Sequence, residues 1–149
     1  MDERFKIFTN HINSINRSIR RIKNIEMKEY DLKSPHVSCI YYLYKEKSLS
    51  IKELTKLCDI DKAAISRTLD FLVNNDFIKI DDSENKSYKN DLFLTNKGVE
   101  VGKYISDKID NILNIASKGL TEEERKILYK ALDIIDNNLK EKVGENNGD

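Results

Sequence analysis

The sequence predicts a mainly α-helical fold with one small β-hairpin, and three observations lead to that prediction. The 149 residues include only five Gly and one Pro, while charged residues reach 35%, a composition that favours long helices over turns. Apolar residues recur at helical spacing over most of the chain. The exception is a pair of short segments after the middle, where apolar and polar residues alternate as they do in strands.

The first helix is predicted over residues 4–29. Its apolar positions lie three and four residues apart, the spacing of a coiled-coil seam or of a long packed helix. They are Phe5, Phe8, Ile12, Ile15, Ile19 and Ile22. Because a seam this narrow needs a partner along its length, the helix packs either within the chain or against a second subunit, and we favour a second subunit for at least part of it.

Capping signals mark the next two helices. Ser34-Pro35 predicts the start of a second helix, because Ser34 can accept from free amide groups and Pro35 suits the first helical position. The segment that follows, to about Lys45, is apolar on nearly every side, so we expect it to be buried. Ser50 and Glu53 have the spacing of a capping box and predict a short third helix.

A helix-turn-helix is predicted over about residues 50–74. The chain turns at residues 58–60, and Asp61 caps a fourth helix that runs from 62 to about 74. Three apolar residues of this helix share one side: Ile65, Leu69 and Leu72. The opposite side carries small and basic residues together with one acid: Lys62, Ala63, Ser66, Arg67 and Asp70. Such a face is suited to a DNA major groove, where Arg can bind guanine or phosphate.

A wing, meaning a hairpin that follows the helix-turn-helix, is predicted over about residues 77–95. Residues 77–80 and 92–94 alternate as strands do, and the segment between them is polar. Asp76 precedes the first strand at a position where left-handed backbone is expected, because Asp tolerates it better than most residues.

Two more helices complete the predicted organisation. Thr95 and Gly98 mark the start of the fifth helix, Gly119 ends it, and Thr121 with Glu124 forms a second capping box before the last helix. We therefore expect a single domain over 1–149. It combines a winged helix-turn-helix lobe over 34–98 with dimerisation helices over 1–32 and 99–143.

The segment SIKELTKLCDIDKAAISRTLDFLVNNDFIKI, followed by LFLTNKG, resembles the winged helix-turn-helix of the MarR family of multiple-antibiotic-resistance regulators. The resemblance covers nearly the whole chain, from the long first helix to GLTEEE before the last one. It implies a homodimer, built from the N- and C-terminal helices, that binds palindromic double-stranded operator DNA. It also implies a transcriptional regulator, usually a repressor, that a small ligand or an oxidant releases.

The resemblance also implies particular DNA contacts. Those of the helix-turn-helix are Ser50 and Lys52 with phosphates, and Lys62, Ala63, Ser66 and Arg67 with the major groove. The family commonly has a wing-tip arginine that enters the minor groove and is braced by an Asp, but this wing tip has no arginine. Lys86 could enter the minor groove instead, braced by Glu84 or Asp82, and Lys89 could contact phosphate. The alternative is a solvated tip. Lysine is the more strongly hydrated point charge, so it reads a narrow groove less well.

A ligand site is expected by analogy in the cleft between the helical region and the winged lobe. Several tyrosines near the second helix favour either an aromatic small-molecule effector or packing in the dimer core. Cys39 is also a candidate redox-sensing thiol, which would need a lowered pKa and access to oxidant. Cys58 is expected to serve packing. The candidate lining residues are His11, Ile15, Tyr30, His36, Cys39, Tyr42 and Tyr104.

Other function classes are disfavoured. Two His and scattered acids lack the spacing of a metal site, and no nucleophile motif or Gly-rich phosphate loop occurs, so no metal, cofactor or enzymatic activity is expected. No long apolar run or signal segment is present, so we expect no membrane association and a cytoplasmic location.

The formal net charge of zero counts against nucleic acid binding. It keeps open an alternative, a winged-helix module or antirepressor that binds protein instead of DNA. Residues 1–30 hold seven Lys/Arg against four Asp/Glu, and residues 99–149 hold eight against eleven. This uneven distribution is compatible with local positive patches on a neutral protein.

Overall fold

The computed structural model describes residues 3–81 and 90–144. In this part of the chain it contains six α-helices, a short 3-10 turn and three strands, so the predicted mainly helical fold with a small hairpin is confirmed. The elements are α1 (Glu3–Glu26), the 3-10 turn (Lys28–Tyr30), α2 (Ser34–Glu46), β1 (Ser48–Leu49), α3 (Ile51–Cys58), α4 (Lys62–Asn74), β2 (Ile78–Ile80), β3 (Leu92–Leu94), α5 (Asn96–Ala116) and α6 (Glu122–Val143).

The chain divides into two compact units, Met1–Asp107 and Lys108–Asp149, so the boundary falls inside α5. The first unit contains α1 to β3 and the beginning of α5. The predicted dimerisation ranges, 1–32 and 99–143, concern contacts between subunits and not packing within one chain. They therefore stay a prediction.

The first unit is built around α2, which packs against α1, α3, α4, β1 and β3. Burial of the second helix was predicted, and its residues Val37, Cys39, Ile40 and Leu43 are buried. The tyrosines of α2 are half-buried and lie at the edge of this core. The other buried apolar residues come from every part of the unit: Met27, Leu32, Leu49, Leu54, Ile65, Leu69, Leu72, Phe77, Ile78, Leu92, Val101 and Ile105.

The start of α2 differs from the prediction that Ser34 caps it. Ser34 is the first helical residue, and its backbone N–H donates to Asn24 Oδ1 at 2.8 Å. The backbone N–H of Lys33 donates to His36 Nδ1 at 3.0 Å. Because Asn24 belongs to α1, this partner is supplied by tertiary packing and is invisible to a local capping rule.

The strands form one antiparallel sheet in the order β1-β3-β2. In the predicted hairpin, Ile78 is opposite Leu94 and Ile80 is opposite Leu92. The sequence did not predict β1, because two residues between two helices are too few to show alternation. Asp76 has φ 63°, which confirms the expected left-handed backbone. The predicted wing tip, residues 82–89, lies outside the described residues.

In the second unit, α6 begins with the predicted capping box. Thr121 Oγ1 accepts from the Glu124 N–H at 3.1 Å, and the Thr121 N–H donates to Glu124 Oε2 at 2.7 Å. Gly119, at φ 94°, lies just beyond the end of α5, where an L side chain would be strained. Many apolar side chains of α6 are exposed: Ile127, Leu128, Tyr129, Leu132, Ile134, Leu139 and Val143.

Candidate nucleic-acid interface

The helix-turn-helix begins with the capping box predicted at α3. Ser50 Oγ accepts from the Glu53 N–H at 3.1 Å, and the Ser50 N–H donates to Glu53 Oε2 at 2.8 Å. These hydrogen bonds from Ser50 hold the pKa of the Glu53 carboxyl below its usual value. The box places Ser50 and the exposed Lys52 side by side at the N-terminal end of α3.

The turn between α3 and α4 has the conformation that its acidic residues favour. Asp59 is left-handed, with φ 52°, and its N–H donates to the Thr55 carbonyl oxygen at 3.1 Å. Asp61 Oδ1 accepts from the Ala64 N–H at 2.7 Å. As predicted, α4 therefore begins at Lys62, directly after its cap.

Helix α4 has one buried side and one exposed side, as the sequence predicts. The exposed fractions of Ile65, Leu69 and Leu72 are 3%, 8% and 0%. Thr68 is also buried, and its hydroxyl donates to the Ala64 carbonyl oxygen at 2.8 Å, so burial leaves no unpaired group. The exposed side carries Lys62, Ala63, Ser66, Arg67 and Asp70.

His36 holds the inner side of α4 against the start of α2. Its ring stacks on Phe71 with 4.2 Å between ring centroids. Burial lowers the pKa of His36, and Lys33 adds to this, whereas Asp31 opposes it. A neutral imidazole is also what the geometry requires, because Nδ1 accepts the Lys33 N–H.

A cluster around Thr95 fixes the end of α4 to the first turn of α5. Thr95 Oγ1 donates to the Asp76 carbonyl oxygen at 2.6 Å and accepts from the Gly98 N–H at 3.0 Å. Lys97 Nζ lies 4.3 Å from the centroid of the Phe77 ring. A Cβ added at Gly98 would overlap the Phe77 carbonyl oxygen. The segment between α4 and β2 is therefore joined closely to α5.

The structure brings together only some of the predicted ligand-site residues. The rings of Tyr30 and Tyr104 lie 5.8 Å apart and are tilted by 60°. Tyr42 is half-buried, and its pKa is raised, mainly by burial and secondly by the neighbouring Cys58. His11 and Ile15 are exposed on α1. A surface cavity of about 380 Å³ lies elsewhere, over the sheet, and none of the predicted residues lines it.

Cys39 does not have the access to oxidant that the sequence analysis expected of a sensing thiol. Its exposed fraction is 0%, because the thiol faces the packed contact between α2 and α3. The hydrogen bond with Cys58, together with burial, raises the pKa of Cys39. Cys39 Sγ lies 3.6 Å from Cys58 Sγ. This contact was not predicted, because the two cysteines belong to different helices and Cys58 was expected to serve packing.

Residues 3–81 and 90–144 contain no group of three or more His, Cys, Asp or Glu side chains arranged to hold a metal ion. Within the same residues, each helix is too short or too polar to cross a membrane.

Comparisons with known proteins agree with this geometry. The MarR family model matches residues 32–85, which include the helix-turn-helix. An uncharacterised HTH-type transcriptional regulator of Bacillus subtilis (strain 168), YybA, is 27% identical over 129 residues, which cover 86% of this chain and 85% of that protein.

Solved structures that resemble the chain include two complexes with DNA. One contains a putative MarR family transcriptional regulator from Listeria monocytogenes with 26mer DNA; it is 25% identical, has a TM-score of 0.83, and the match covers 95% of each chain. The other is the S. aureus MepR–DNA complex, with 17% identity and a TM-score of 0.77 over 89% of this chain and 96% of that chain. The second likeness concerns the fold alone.

Proposed function

The chain is a member of the MarR family of transcriptional regulators, and on that premise we propose that it is a homodimer that binds palindromic double-stranded DNA through α4. We propose further that it represses transcription and that a small aromatic effector releases it. Regulators of this family are transcription factors and not enzymes, so the expected absence of enzymatic activity follows from family membership.

The exposed face of α4 is the observation that carries the DNA-binding proposal. Ala63 is small and Ser66 is short, so the helix backbone can come close to base edges without steric conflict. Arg67 is exposed beside them and has a guanidinium that can donate two parallel hydrogen bonds to guanine O6 and N7. The buried opposite side holds the helix in a fixed orientation while this face is presented.

Phosphate contacts are proposed at the start of α3 and not at the start of α4. The Asp61 carboxylate already accepts the Ala64 N–H at 2.7 Å, which places negative charge where a phosphate would have to lie. At α3 the Glu53 carboxylate accepts the Ser50 N–H at 2.8 Å, but the exposed ammonium of Lys52 lies next to this cap and opposes its negative charge. The N-terminus of a helix attracts phosphate through its amide groups and its dipole. Ser50 and Lys52 therefore position the protein, while α4 reads the sequence.

The homodimer is supported by the apolar seam of α1. Phe5, Ile12 and Ile19 are 76%, 40% and 43% exposed within the chain. Exposed apolar surface of this extent is unusual for a monomer and marks an interaction site. A twofold dimer would present two copies of α4, about 34–36 Å apart if they occupy successive major grooves.

Lys86 and Lys89 of the predicted wing lie outside the described residues. We assign Lys86 to the minor groove and Lys89 to phosphate because these residues come between β2 and β3, which pair as the two strands of the hairpin.

The Tyr30–Tyr104 ring pair supports an aromatic effector, because a flat ligand can pack against such rings.

Selection of bound sequences from a random duplex pool tests DNA recognition directly. We expect an enriched palindrome, and we expect Arg67→Ala to bind it about 5- to 150-fold more weakly, which corresponds to about 1–3 kcal/mol for a good base contact. Arg125→Ala is the matched control, since Arg125 is an exposed arginine of α6 outside the helix-turn-helix. Equal affinities for the two variants would refute the docking of α4.

The salt dependence of binding separates this proposal from the alternative. The neutral net charge is the observation that favours a winged-helix module for a protein partner. Binding through six or more phosphates should lose roughly a thousandfold in affinity between 50 and 200 mM salt. A partner held by apolar surface would not show that loss, and a pool without an enriched motif would favour it.

A further inference from the structure

Two thiols and a lysine from three different helices meet on one side of the first unit. Cys39 lies in α2 and Cys58 is the last residue of α3, and their Sγ atoms are 3.6 Å apart in a hydrogen-bonded contact. Lys23 reaches this place from α1, where its Nζ donates to Ser38 Oγ at 3.0 Å. Because Ser38 directly precedes Cys39, Lys23 lies near this pair of free thiols, and its charge acts on Cys58.

The two thiols differ in exposure and in acidity. Cys58 is partly exposed, and its pKa is lowered by the hydrogen bond from Cys39 and by the charge of Lys23, against the opposing effect of burial. Cys39 is fully buried, and its pKa is raised. Burial lowers the pKa of Lys23 while Cys58 raises it, as expected for an ammonium group beside an ionisable thiol. A partly exposed thiol with a lowered pKa and a cationic neighbour has the environment of a reactive cysteine.

We propose that Cys58 and Cys39 form a hydroperoxide-reactive dithiol, in which Cys58 is the nucleophile and Cys39 closes an intrachain disulfide between α2 and α3. Cys58 lies 3.6 Å from its resolving partner before any reaction. Formation of a bond of about 2.05 Å requires the sulfur atoms to approach by about 1.5 Å. An approach of that size needs only small shifts of two helices that already pack together.

The chemistry balances with a hydroperoxide as the oxidant. The Cys58 thiolate attacks one peroxide oxygen; an S–O bond forms, the O–O bond breaks, and the alkoxide takes up a proton and leaves as an alcohol. Cys39 then loses its proton and attacks the sulfenic sulfur of Cys58. An S–S bond forms, the S–O bond breaks, and the hydroxyl group leaves with that proton as water. Two thiols are oxidised by two electrons in total, and one peroxide is reduced.

The position of Cys58 connects this chemistry to α4. Asp59, the next residue, has the left-handed backbone of the turn, and Asp61 caps α4. A shift of Cys58 toward α2 therefore acts on the turn that orients the exposed face of α4. This consequence rests on the proposed function, because it predicts that oxidation weakens operator binding. Disulfide formation itself does not depend on DNA.

Peroxide titration of the full chain followed by alkylation and intact mass measurement tests the dithiol. We expect one equivalent of hydrogen peroxide or cumene hydroperoxide to protect both thiols from alkylation and to lower the chain mass by two hydrogens. Cys39→Ser should stop at a sulfenic acid that dimedone labels at Cys58, and Cys58→Ser should react at least tenfold more slowly. Since Cys39 is buried, Cys39→Ala is a second variant, and circular dichroism checks that each variant is folded.

The contribution of Lys23 is tested by the rate of oxidation. Lys23→Gln should react severalfold more slowly than wild type, while Lys28→Gln, the control for an exposed lysine on the 3-10 turn, should react at the wild-type rate. Two thiols that remain alkylable in excess peroxide, or disulfides that form only between chains, would overturn the proposal. So would a Cys58→Ser variant that reacts as fast as wild type.

Operator affinity of the oxidised and reduced chain separates the regulatory consequence from the proposed function. We expect the disulfide form to bind the selected palindrome at least tenfold more weakly, with recovery after reduction by dithiothreitol. An intact disulfide with unchanged affinity would overturn the link to α4. A reduced protein that binds no DNA would instead refute the proposed function, while the mass measurement would still decide the dithiol.

Discussion

Helices α1 and α4 both carry apolar residues at helical spacing, but only α4 buries them within the chain. Ile65 and Leu72 of α4 are 3% and 0% exposed, whereas Phe5 and Ile12 of α1 are 76% and 40% exposed. The pattern is of the same kind in both helices, so it identifies the side that needs a partner without saying where that partner is. For α4 the partner is α2; for the exposed seam of α1 the proposed partner is a second subunit.

The C-terminal end of α1 differs from the rest of the helix. Met27 and Leu32, just beyond that end, are 1% and 2% exposed, and Asn24 accepts the Ser34 N–H. The helix is therefore anchored at one end, while the seam residues nearer its N-terminus remain exposed. This arrangement is expected if the exposed part packs in an assembly. Substitutions in the α1 seam and in the core below α4 test this difference between the two helices.

The largest effect is expected from two acids in the α1 seam. In Ile12→Asp with Ile19→Asp, each dimer subunit would have to bury two carboxylates, which costs roughly 5 kcal/mol or more and weakens the dimer at least about a thousandfold. Sedimentation should change from a dimer to the 17.4 kDa monomer, and DNA binding should be lost with it.

The matched control adds the same charges to the other side of α1. Asn10→Asp with Ser14→Asp lies opposite the seam on the helical wheel, so the dimer should persist. Wild-type protein that already sediments as a monomer at micromolar concentration would contradict the assignment of this seam to a second subunit.

A smaller effect is expected in the core below α4. Leu72→Ala removes a fully buried side chain and should lower the free energy of unfolding by about 2–5 kcal/mol. Val73→Ala is the control at the next position; Val73 is 41% exposed, and its change should stay within about 0.5 kcal/mol. Urea unfolding at a fixed protein concentration measures both. Similar losses for the two variants would mean that α4 is oriented differently from the structure described.

The smallest effect is expected at the cap of α4. Asp61→Ala leaves the Ala64 N–H without its acceptor and should cost about 0.5–2 kcal/mol in unfolding free energy. Asp61→Ser keeps a side-chain acceptor, so its stability should stay near that of wild type. Because it also removes a negative charge beside Lys62, it should bind the operator a few times more tightly. Weaker binding by Asp61→Ser would show that the carboxylate contributes to recognition.

The sequence predicted the elements whose determinants are local. Asp61, Ser50 and Thr121 each cap a helix three residues or fewer from the amide they pair with, so a short window contains the whole interaction. The cap of α2 was missed in part because Asn24 approaches from α1. Strand β1 was missed because its pairing with β3, Ser48 opposite Phe93, spans the entire helix-turn-helix.

The distinction between local and long-range determinants also applies to the functional sites. The exposed face of α4 follows from one helical wheel, so its residues could be placed from the sequence. The roles of Cys39 and Cys58 depend on a 3.6 Å contact between two helices and on a lysine from a third. No sequence window contains all three groups. The sequence analysis therefore named the buried Cys39 as the candidate sensing thiol and expected the partly exposed Cys58 to serve packing.

The Thr95 cluster has a mechanical consequence for a DNA-bound regulator. The Thr95 hydroxyl links the Asp76 carbonyl to the Gly98 amide, and Gly98 packs so closely on the Phe77 carbonyl oxygen that a Cβ would overlap it. The end of α4, the base of the wing and the beginning of α5 are therefore held together by direct contacts. We therefore expect a rotation of the beginning of α5 to move the end of α4 and the base of the wing with it, so that in the proposed complex both groove contacts would be released together.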